Sequence, residues 1–218
     1  WSFAKSKELT GDVANWGQSL RDAMKVGVKF GALPQKNSPF TSNKGSQFLR
    51  DIKNWPEGIE FYATPHKQKT FWKVTGPYDA FDNIRATIWY LNKLRQKQGV
   101  GIGLIWGYPL KQYVLSEIKT GDGHAIASIG WTEPMDDIYL VLQNSWGKDA
   151  GKEGKHLISR KVINHFAEIF GTYVYLDIPR IKAEYFLDNN IKIGENWLIQ
   201  FFKSIYRKIF ANRTFGAD

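Results

Sequence analysis

The feature that most constrains the fold is a pair of apolar, strand-like runs that flank a turn-like segment. Residues 125–131 and 138–142 are the two runs, and residues 133–137 between them read Glu-Pro-Met-Asp-Asp. Short apolar runs bounded by turn-forming residues are typical of neighbouring strands in a β-hairpin. The sequence therefore predicts that these residues form part of an antiparallel sheet.

Polar residues lie at the outer ends of this predicted hairpin. Gly123 and His124 come just before the first run, and Asn144, Ser145 and Trp146 follow the second. Adjacent antiparallel strands would place His124 and Asn144 side by side at one end of the sheet. An amide oxygen that accepts from one ring nitrogen of a histidine leaves the other nitrogen free for a nucleophile. A nearby tryptophan strengthens such a hydrogen bond by excluding water.

Helical patterns precede and follow the sheet. The segment from Ser19 to Phe30 has apolar residues at helical spacing, and Gly31 is suited to end the helix. Residues 77–98 form a second predicted helix, which Asp79 or Asp82 can cap. Further predicted elements are a strand at residues 100–106, a helix at residues 162–170 and a strand at residues 172–178.

Helices that come first and antiparallel strands that follow predict an α+β protein with segregated parts. We divide the chain into a partial helical lobe at residues 1–60, an antiparallel sheet lobe with the His and Asn motifs at residues 61–180, and a C-terminal extension at residues 181–218.

The composition limits the kinds of site that this chain's own residues can form. The 218 residues include no cysteine, which excludes disulfides, thiolate metal sites and thiol catalysis by this chain's own residues. The net charge of +9 favours acidic partners in general, but the cations are spread along the chain and no nucleic-acid motif accompanies them. We therefore expect no nucleic acid as a partner. His66, His156 and His165 have no context of metal ligands, so we interpret them as structural or surface residues and expect no metal or cofactor.

Two segments carry a resemblance to a known family. GHAIASIGW at residues 123–131 and YLVLQNSWGKDAGKEGK at residues 139–155 resemble the pattern around the catalytic His and the Asn-Ser-Trp-Gly segment of papain-like cysteine peptidases. Residues 17–40 and 84–106 also resemble that family, especially its bacterial and viral members, so that about 180 residues match in order.

The resemblance implies a fold and a set of roles. The fold would be papain-like, with a helical lobe and an antiparallel sheet or barrel lobe, incomplete at the N-terminus. His124 would be the base paired with a Cys, Asn144 would orient it, and Trp146 would shield the pair on the leaving-group side. The substrate, a peptide or protein, would contact Gly123 and the region of Trp16 and Gly17.

The nucleophilic Cys of the family has no counterpart here. In one register, Trp1 directly follows the absent Cys. In the other, residues 1–11 match a later helix and the Cys lies some tens of residues upstream. We prefer the second, because the first would put three charges (Lys5, Lys7 and Glu8) into a buried helix. In either register we expect a missing N-terminal segment or a second chain to fill a groove between residues 1–60 and the sheet lobe.

Two functions compete. The first is peptide-bond hydrolysis with the Cys supplied from outside this chain. The alternative is a catalytically inactive homologue that serves as a structural or binding module in a larger assembly.

The C-terminal extension adds one more prediction. Residues 196–211, from Asn196 to Ala211, have one apolar helical face and three cations toward the other side. We predict an amphipathic helix that docks on the protein itself or on a sister chain, or else on an anionic membrane surface.

Overall fold

The computed structural model describes residues 1–12, 17–40, 48–49, 51–76, 78–93, 98–132 and 137–176. The described helices are α1 (Ser2–Thr10), α2 (Leu20–Lys29), α3 (Glu60–Ala63), α4 (Ala80–Lys93) and α5 (Arg160–Phe170), with short 3₁₀ turns at Gln35–Asn37, Ile52–Asn54 and Thr64–His66. The strands are β1 (Thr70–Lys73), β2 (Val100–Trp106), β3 (Val114–Leu115), β4 (Asp122–Thr132), β5 (Tyr139–Gln143), β6 (Lys155–Ser159) and β7 (Thr172–Leu176).

The strands form one seven-stranded sheet in the order β1-β7-β2-β4-β5-β6-β3. Every neighbouring pair is antiparallel except β3 and β6, which run parallel. The predicted hairpin is confirmed, because Thr132 of β4 pairs with Tyr139 of β5 and Ala127 pairs with Gln143. The α+β class predicted from the sequence is also confirmed.

The core lies between the sheet and the helices α4 and α5. Residues of β2 that alternate along the strand (Val100, Ile102 and Leu104) are buried against these helices. The same cluster contains Phe81, Ile84, Ile88 and Leu91 from α4, Ile126 from β4, Leu140 and Leu142 from β5, Ile158 from β6, Val162, Ile163 and Phe166 from α5, and Val174 from β7. Alternation with period two in the strands and near 3.6 in the helices puts these side chains on facing surfaces.

Helix α4 begins at Ala80 rather than at residue 77, because Asp79 caps it. The Asp79 carboxylate accepts from the backbone N–H of Asp82 at 2.9 Å. Asn164 of α5 accepts from the N–H of Phe81 at 3.0 Å and donates to Asp79 at 2.9 Å. A side chain that satisfies a free N–H in the first turn fixes where a helix starts. These contacts also fasten α4 to α5.

Helix α2 packs closely against the edge of the sheet near β7. Ser19 caps the helix by accepting from the N–H of Asp22. A Cβ on Gly27 would lie 2.2 Å from the hydroxyl oxygen of Tyr175 in β7, and that hydroxyl donates to the carbonyl of Ala23 at 3.2 Å. Only a residue without a side chain allows this approach.

Two lysines of α1 correct one argument from the sequence. Lys5 and Lys7 were expected to avoid burial, yet they are 7% and 2% exposed. The Lys5 ammonium lies 2.7 Å from Glu60 and 2.9 Å from Glu8, and Lys7 donates to the carbonyl of Gly17. Burial of a charge is tolerated when it is paired and hydrogen-bonded. The presence of lysine in a helix therefore does not by itself exclude that helix from the interior.

Strand β4 is longer than predicted, since it runs from residue 122 to 132 rather than from 125 to 131.

No helix in the described part of the chain is both long and apolar enough to span a bilayer. The division into lobes stays a prediction. The predicted helix at residues 196–211 lies outside the described residues, as do residues 94–97 of the helix predicted at 77–98.

Candidate active site

His124 lies within β4, two residues after the strand begins, rather than at its entrance. It pairs with Leu104 of β2, and paired residues of antiparallel strands point to the same side of a sheet. Leu104 is buried in the core, so the imidazole lies on the core-facing side near the end of the sheet. The ring is only partly exposed to solvent.

Asn144 follows β5 directly and faces His124. Its side-chain oxygen Oδ1 lies 3.3 Å from Nε2 of His124. Its backbone N–H donates to the carbonyl of Gly154 at 2.8 Å, and the residue is 5% exposed. An amide oxygen can only accept, so Nε2 of His124 carries the proton. Nδ1 of His124 is then the nitrogen with a free lone pair.

Two tryptophans enclose the imidazole. The Trp146 ring lies 4.2 Å from the His124 ring, centroid to centroid, with an angle of 31° between the planes. Trp106, at the end of β2, meets His124 at 5.2 Å and Trp146 at 5.0 Å, each edge to face. Aromatic rings at these distances favour one another and keep water from the hydrogen bond they cover.

The pKa of His124 is held below its usual value of 6.5, because burial disfavours the charged imidazolium. The hydrogen bond to Asn144 opposes this shift, and the neighbouring His156 lowers the pKa a little further. Since no anion among the described residues offsets this shift, His124 is a neutral base at neutral pH. A thiolate next to Nδ1 would favour the protonated form instead.

His156, on β6, is part of the same site, although the sequence did not indicate this. Its ring is fully buried, and its Nε2 lies 3.2 Å from Nδ2 of Asn144. Its Nδ1 lies 2.7 Å from the carbonyl oxygen of Gln112. Trp106 packs edge to face on this ring as well, at 4.9 Å. One signal could have indicated this role of His156. It is a polar residue at a position of the strand that the register of the sheet places in the apolar core.

A glycine in the loop after Asn144 makes room for His156. Gly151 has a φ of +56°, and a Cβ there would lie 2.8 Å from the ring of His156 and 2.1 Å from the carbonyl of Lys155. Both the backbone conformation and the space exclude a side chain at this position.

The three residues predicted to contact substrate differ in where they lie. Gly123 is exposed beside His124, and the space where its Cβ would point is open. Gly17 is also exposed, but its contact is with Lys7 of α1 rather than with the His124–Asn144 pair. Trp16 lies outside the described residues. Their role in substrate binding stays a prediction.

Among the residues that the structure describes, no group of three His, Asp or Glu side chains is arranged to hold a metal ion. The arrangement at the end of the sheet is able to orient a base, because one imidazole nitrogen of His124 faces Asn144 and the other is available.

Part of the chain matches the model of a known protein family. The model of the papain family cysteine proteases matches residues 91–174, which include His124 and Asn144. The comparison with curated proteins gives no match. The resemblance to papain-like cysteine peptidases is thus confirmed for this part of the chain.

Solved structures extend the likeness beyond that segment. Xylellain, a cysteine protease from Xylella fastidiosa, is similar with a TM-score of 0.57 and 16% identity, over 82% of this chain and 69% of that one. Digestive procathepsin L 3 from the larval midgut of Tenebrio molitor gives a TM-score of 0.53 and 12% identity, over 79% of this chain and 54% of that one. At these identities the likeness shows the fold, which is papain-like.

Proposed function

We propose that this chain is the greater part of a cysteine peptidase that hydrolyses peptide bonds, with its nucleophilic Cys outside these 218 residues. The observation that carries the proposal is the contact of 3.3 Å between His124 Nε2 and Asn144 Oδ1, covered by Trp146. This contact leaves Nδ1 free for a thiol. The match of residues 91–174 to the papain family supports it.

The chemistry follows from the geometry of the imidazole. Nδ1 of His124 takes the proton of the thiol, and the thiolate attacks the carbonyl carbon of the substrate. The imidazolium then donates that proton to the leaving amine, and an acyl-enzyme remains. Water hydrolyses the acyl-enzyme with His124 as the base, which regenerates the thiol. Asn144 keeps the imidazole in one orientation throughout.

The test uses the full-length protein that carries this chain and a thiol-directed peptidase probe. We expect the probe to label one Cys, and His124→Ala to reduce the rate of labelling by about 10²–10⁴-fold, because a base of this kind contributes about that much. His165→Ala is the matched control, since His165 is an exposed histidine on α5. It should leave the labelling unchanged.

Two outcomes would contradict the proposal. Equal labelling of the wild type and His124→Ala would show that the thiol is not activated by this histidine. A wild-type protein that neither reacts with the probe nor cleaves peptides would favour the alternative, an inactive homologue that keeps the fold as a structural or binding module.

A further inference from the structure

His156 occupies a position where the sheet calls for an apolar side chain. It pairs with Leu142 of β5, and paired residues share a face. Leu142 is completely buried in the core, and so is Ile158, two residues further along β6. A histidine at such a position costs free energy unless both ring nitrogens find partners.

The partners of His156 determine where its proton lies. Nδ1 faces the carbonyl oxygen of Gln112 at 2.7 Å, and a backbone carbonyl can only accept. Nδ1 therefore carries a proton. Burial lowers the pKa of His156, with the Gln112 carbonyl opposing the shift, so the ring is neutral at neutral pH. Its Nε2 then has a lone pair, which accepts from the amide nitrogen of Asn144 at 3.2 Å.

We propose that His156 is a positioning residue that holds the amide of Asn144 in the orientation presenting Oδ1 to His124, and that this keeps the proton of His124 on Nε2. A role in catalysis rests on the proposed peptidase function. The hydrogen-bonded chain from Gln112 through His156 and Asn144 to His124 does not depend on that function, because it rests on the contacts and on the neutral state of His156.

The alternative orientation of the amide shows why a positioning residue matters. The two ends of an asparagine amide have nearly the same shape, so packing alone does not choose between them. If the amide turned over, Nδ2 would donate to Nε2 of His124, and the proton of His124 would move to Nδ1. That tautomer has no lone pair to take a proton from a thiol.

The carbonyl of Gln112 prevents this reversal. With the amide turned over, Oδ1 of Asn144 would face Nε2 of His156, which would need a proton there. A neutral His156 would then lack a proton on Nδ1, and its lone pair would face the Gln112 oxygen at 2.7 Å. A carbonyl that cannot change from acceptor to donor thus fixes the direction of every hydrogen bond in the chain.

The residues packed around the imidazole of His156 restrict its position. Gly151 leaves the space that the imidazole fills, because a Cβ there would lie 2.8 Å from two of its atoms. Trp106 contacts the rings of His156 and His124 at 4.9 and 5.2 Å. The same tryptophan side chain therefore packs on both imidazoles, one of which contacts each end of the Asn144 amide.

The first measurement is ¹⁵N NMR of the full chain labelled at histidine and asparagine. We expect His156 to carry its proton on Nδ1 and His124 to carry its proton on Nε2 at neutral pH. A proton on Nε2 of His156 in the wild type would overturn the proposal. This readout requires neither a nucleophile nor a mutation, so it is decisive even if every variant fails to fold.

Variants at His156 then test the coupling. His156→Ile removes the acceptor, and we expect His124 to show a mixture of tautomers. His156→Gln keeps one donor and one acceptor on a single amide, and we expect it to restore the Nε2–H form. His165→Ile is the matched control on the surface of α5 and should change neither. If His124 stays entirely in the Nε2–H form in folded His156→Ile, the proposal is wrong.

The full-length protein separates this inference from the proposed function. If a thiol is activated there, His156→Ile should slow probe labelling by about 10–100-fold, the range seen when partners that orient a ligating histidine are removed, and His156→Gln should recover most of it. If the wild type is unreactive, the peptidase proposal fails, while the expected tautomers would still support the positioning role of His156.

Discussion

Trp146 is the most exposed aromatic contact of His124, and its role is testable at the scale of one residue. The residue is 45% exposed, yet its ring lies 4.2 Å from the imidazole, centroid to centroid. It therefore acts as a partial cover of the histidine.

We expect Trp146→Ala to raise the pKa of His124 back toward 6.5, because burial is the largest cause of its lowering and the variant admits water. The check is an NMR titration of the His124 ring protons. Trp55→Ala is the matched control, since Trp55 packs on Phe40, donates to the carbonyl of Leu49 and has no contact of this kind with the imidazole. An unchanged His124 pKa in Trp146→Ala would contradict the role of Trp146 as a cover.

The single residues differ in how far the sequence could predict them. The positions of His124 and Asn144 could be predicted, because each adjoins a strand-like run and the turn between the runs sets their register. His156 was not, because its partner Gln112 is 44 residues away on a loop. No spacing in the sequence reveals a hydrogen bond that depends on how a loop crosses the end of a sheet.

At the scale of elements, local signals in the sequence predicted where a strand lies better than how long it is. The bounds of β2 are those predicted, because the alternation from residue 100 to 106 ends in Gly107. The extension of β4 to residue 122 was not predicted, since its pairing with β2 continues through Asp122 and Gly123, which are residue types of low strand propensity. Pairing with a neighbouring strand here overrides the local preference of these residues.

The approach of α2 to β7 gives a prediction about packing. Gly27→Ala places a Cβ 2.2 Å from the Tyr175 hydroxyl and 2.6 Å from its ring, so the helix or the ring must move. We expect the free energy of unfolding to fall by about 1–3 kcal/mol, as is typical of an overpacked contact. The measurement is urea unfolding followed by circular dichroism.

The double variant Gly27→Ala/Tyr175→Ala tests the cause. It should lose less stability than the sum of the two single variants, because removal of the ring relieves the clash. Gly17→Ala is the control, since nothing lies within 4 Å of a Cβ there. Additive losses in the double variant would show that the close approach of α2 to Tyr175 is not the cause of the effect.

At the scale of the whole molecule, the candidate site lies at one end of the sheet, and its residues come from distant parts of the chain. Trp106 comes from β2, His124 from β4, Asn144 from the end of β5 and His156 from β6. These strands are neighbours in the order β2-β4-β5-β6. The site therefore forms only when the sheet has formed, and its protonation is linked to global unfolding.

This linkage gives a prediction for stability against pH. The pKa of His156 in the folded protein is below the 6.5 of an unfolded chain, so the unfolded state binds more protons below pH 6.5. The stability from the neutral imidazole is fully present above pH 6.5 and is lost as the pH falls toward the folded pKa, at a slope of at most about 1.4 kcal/mol per pH unit. His124 adds a smaller effect of the same sign, because its partial exposure screens it.

Urea unfolding at pH 7.5 and 5.5 checks this prediction. The four carboxylates with lowered pKa values among the described residues, Asp22, Glu60, Asp79 and Glu117, lose their contribution only below their ordinary values of 3.8–4.5, outside this range. We expect the wild type to be less stable at pH 5.5. His156→Gln should show a smaller difference between the two pH values, because it has no buried imidazole at that position to protonate, whereas His165→Gln should behave as the wild type. If His156→Gln loses as much stability as the wild type, the buried imidazole is not what links folding to pH.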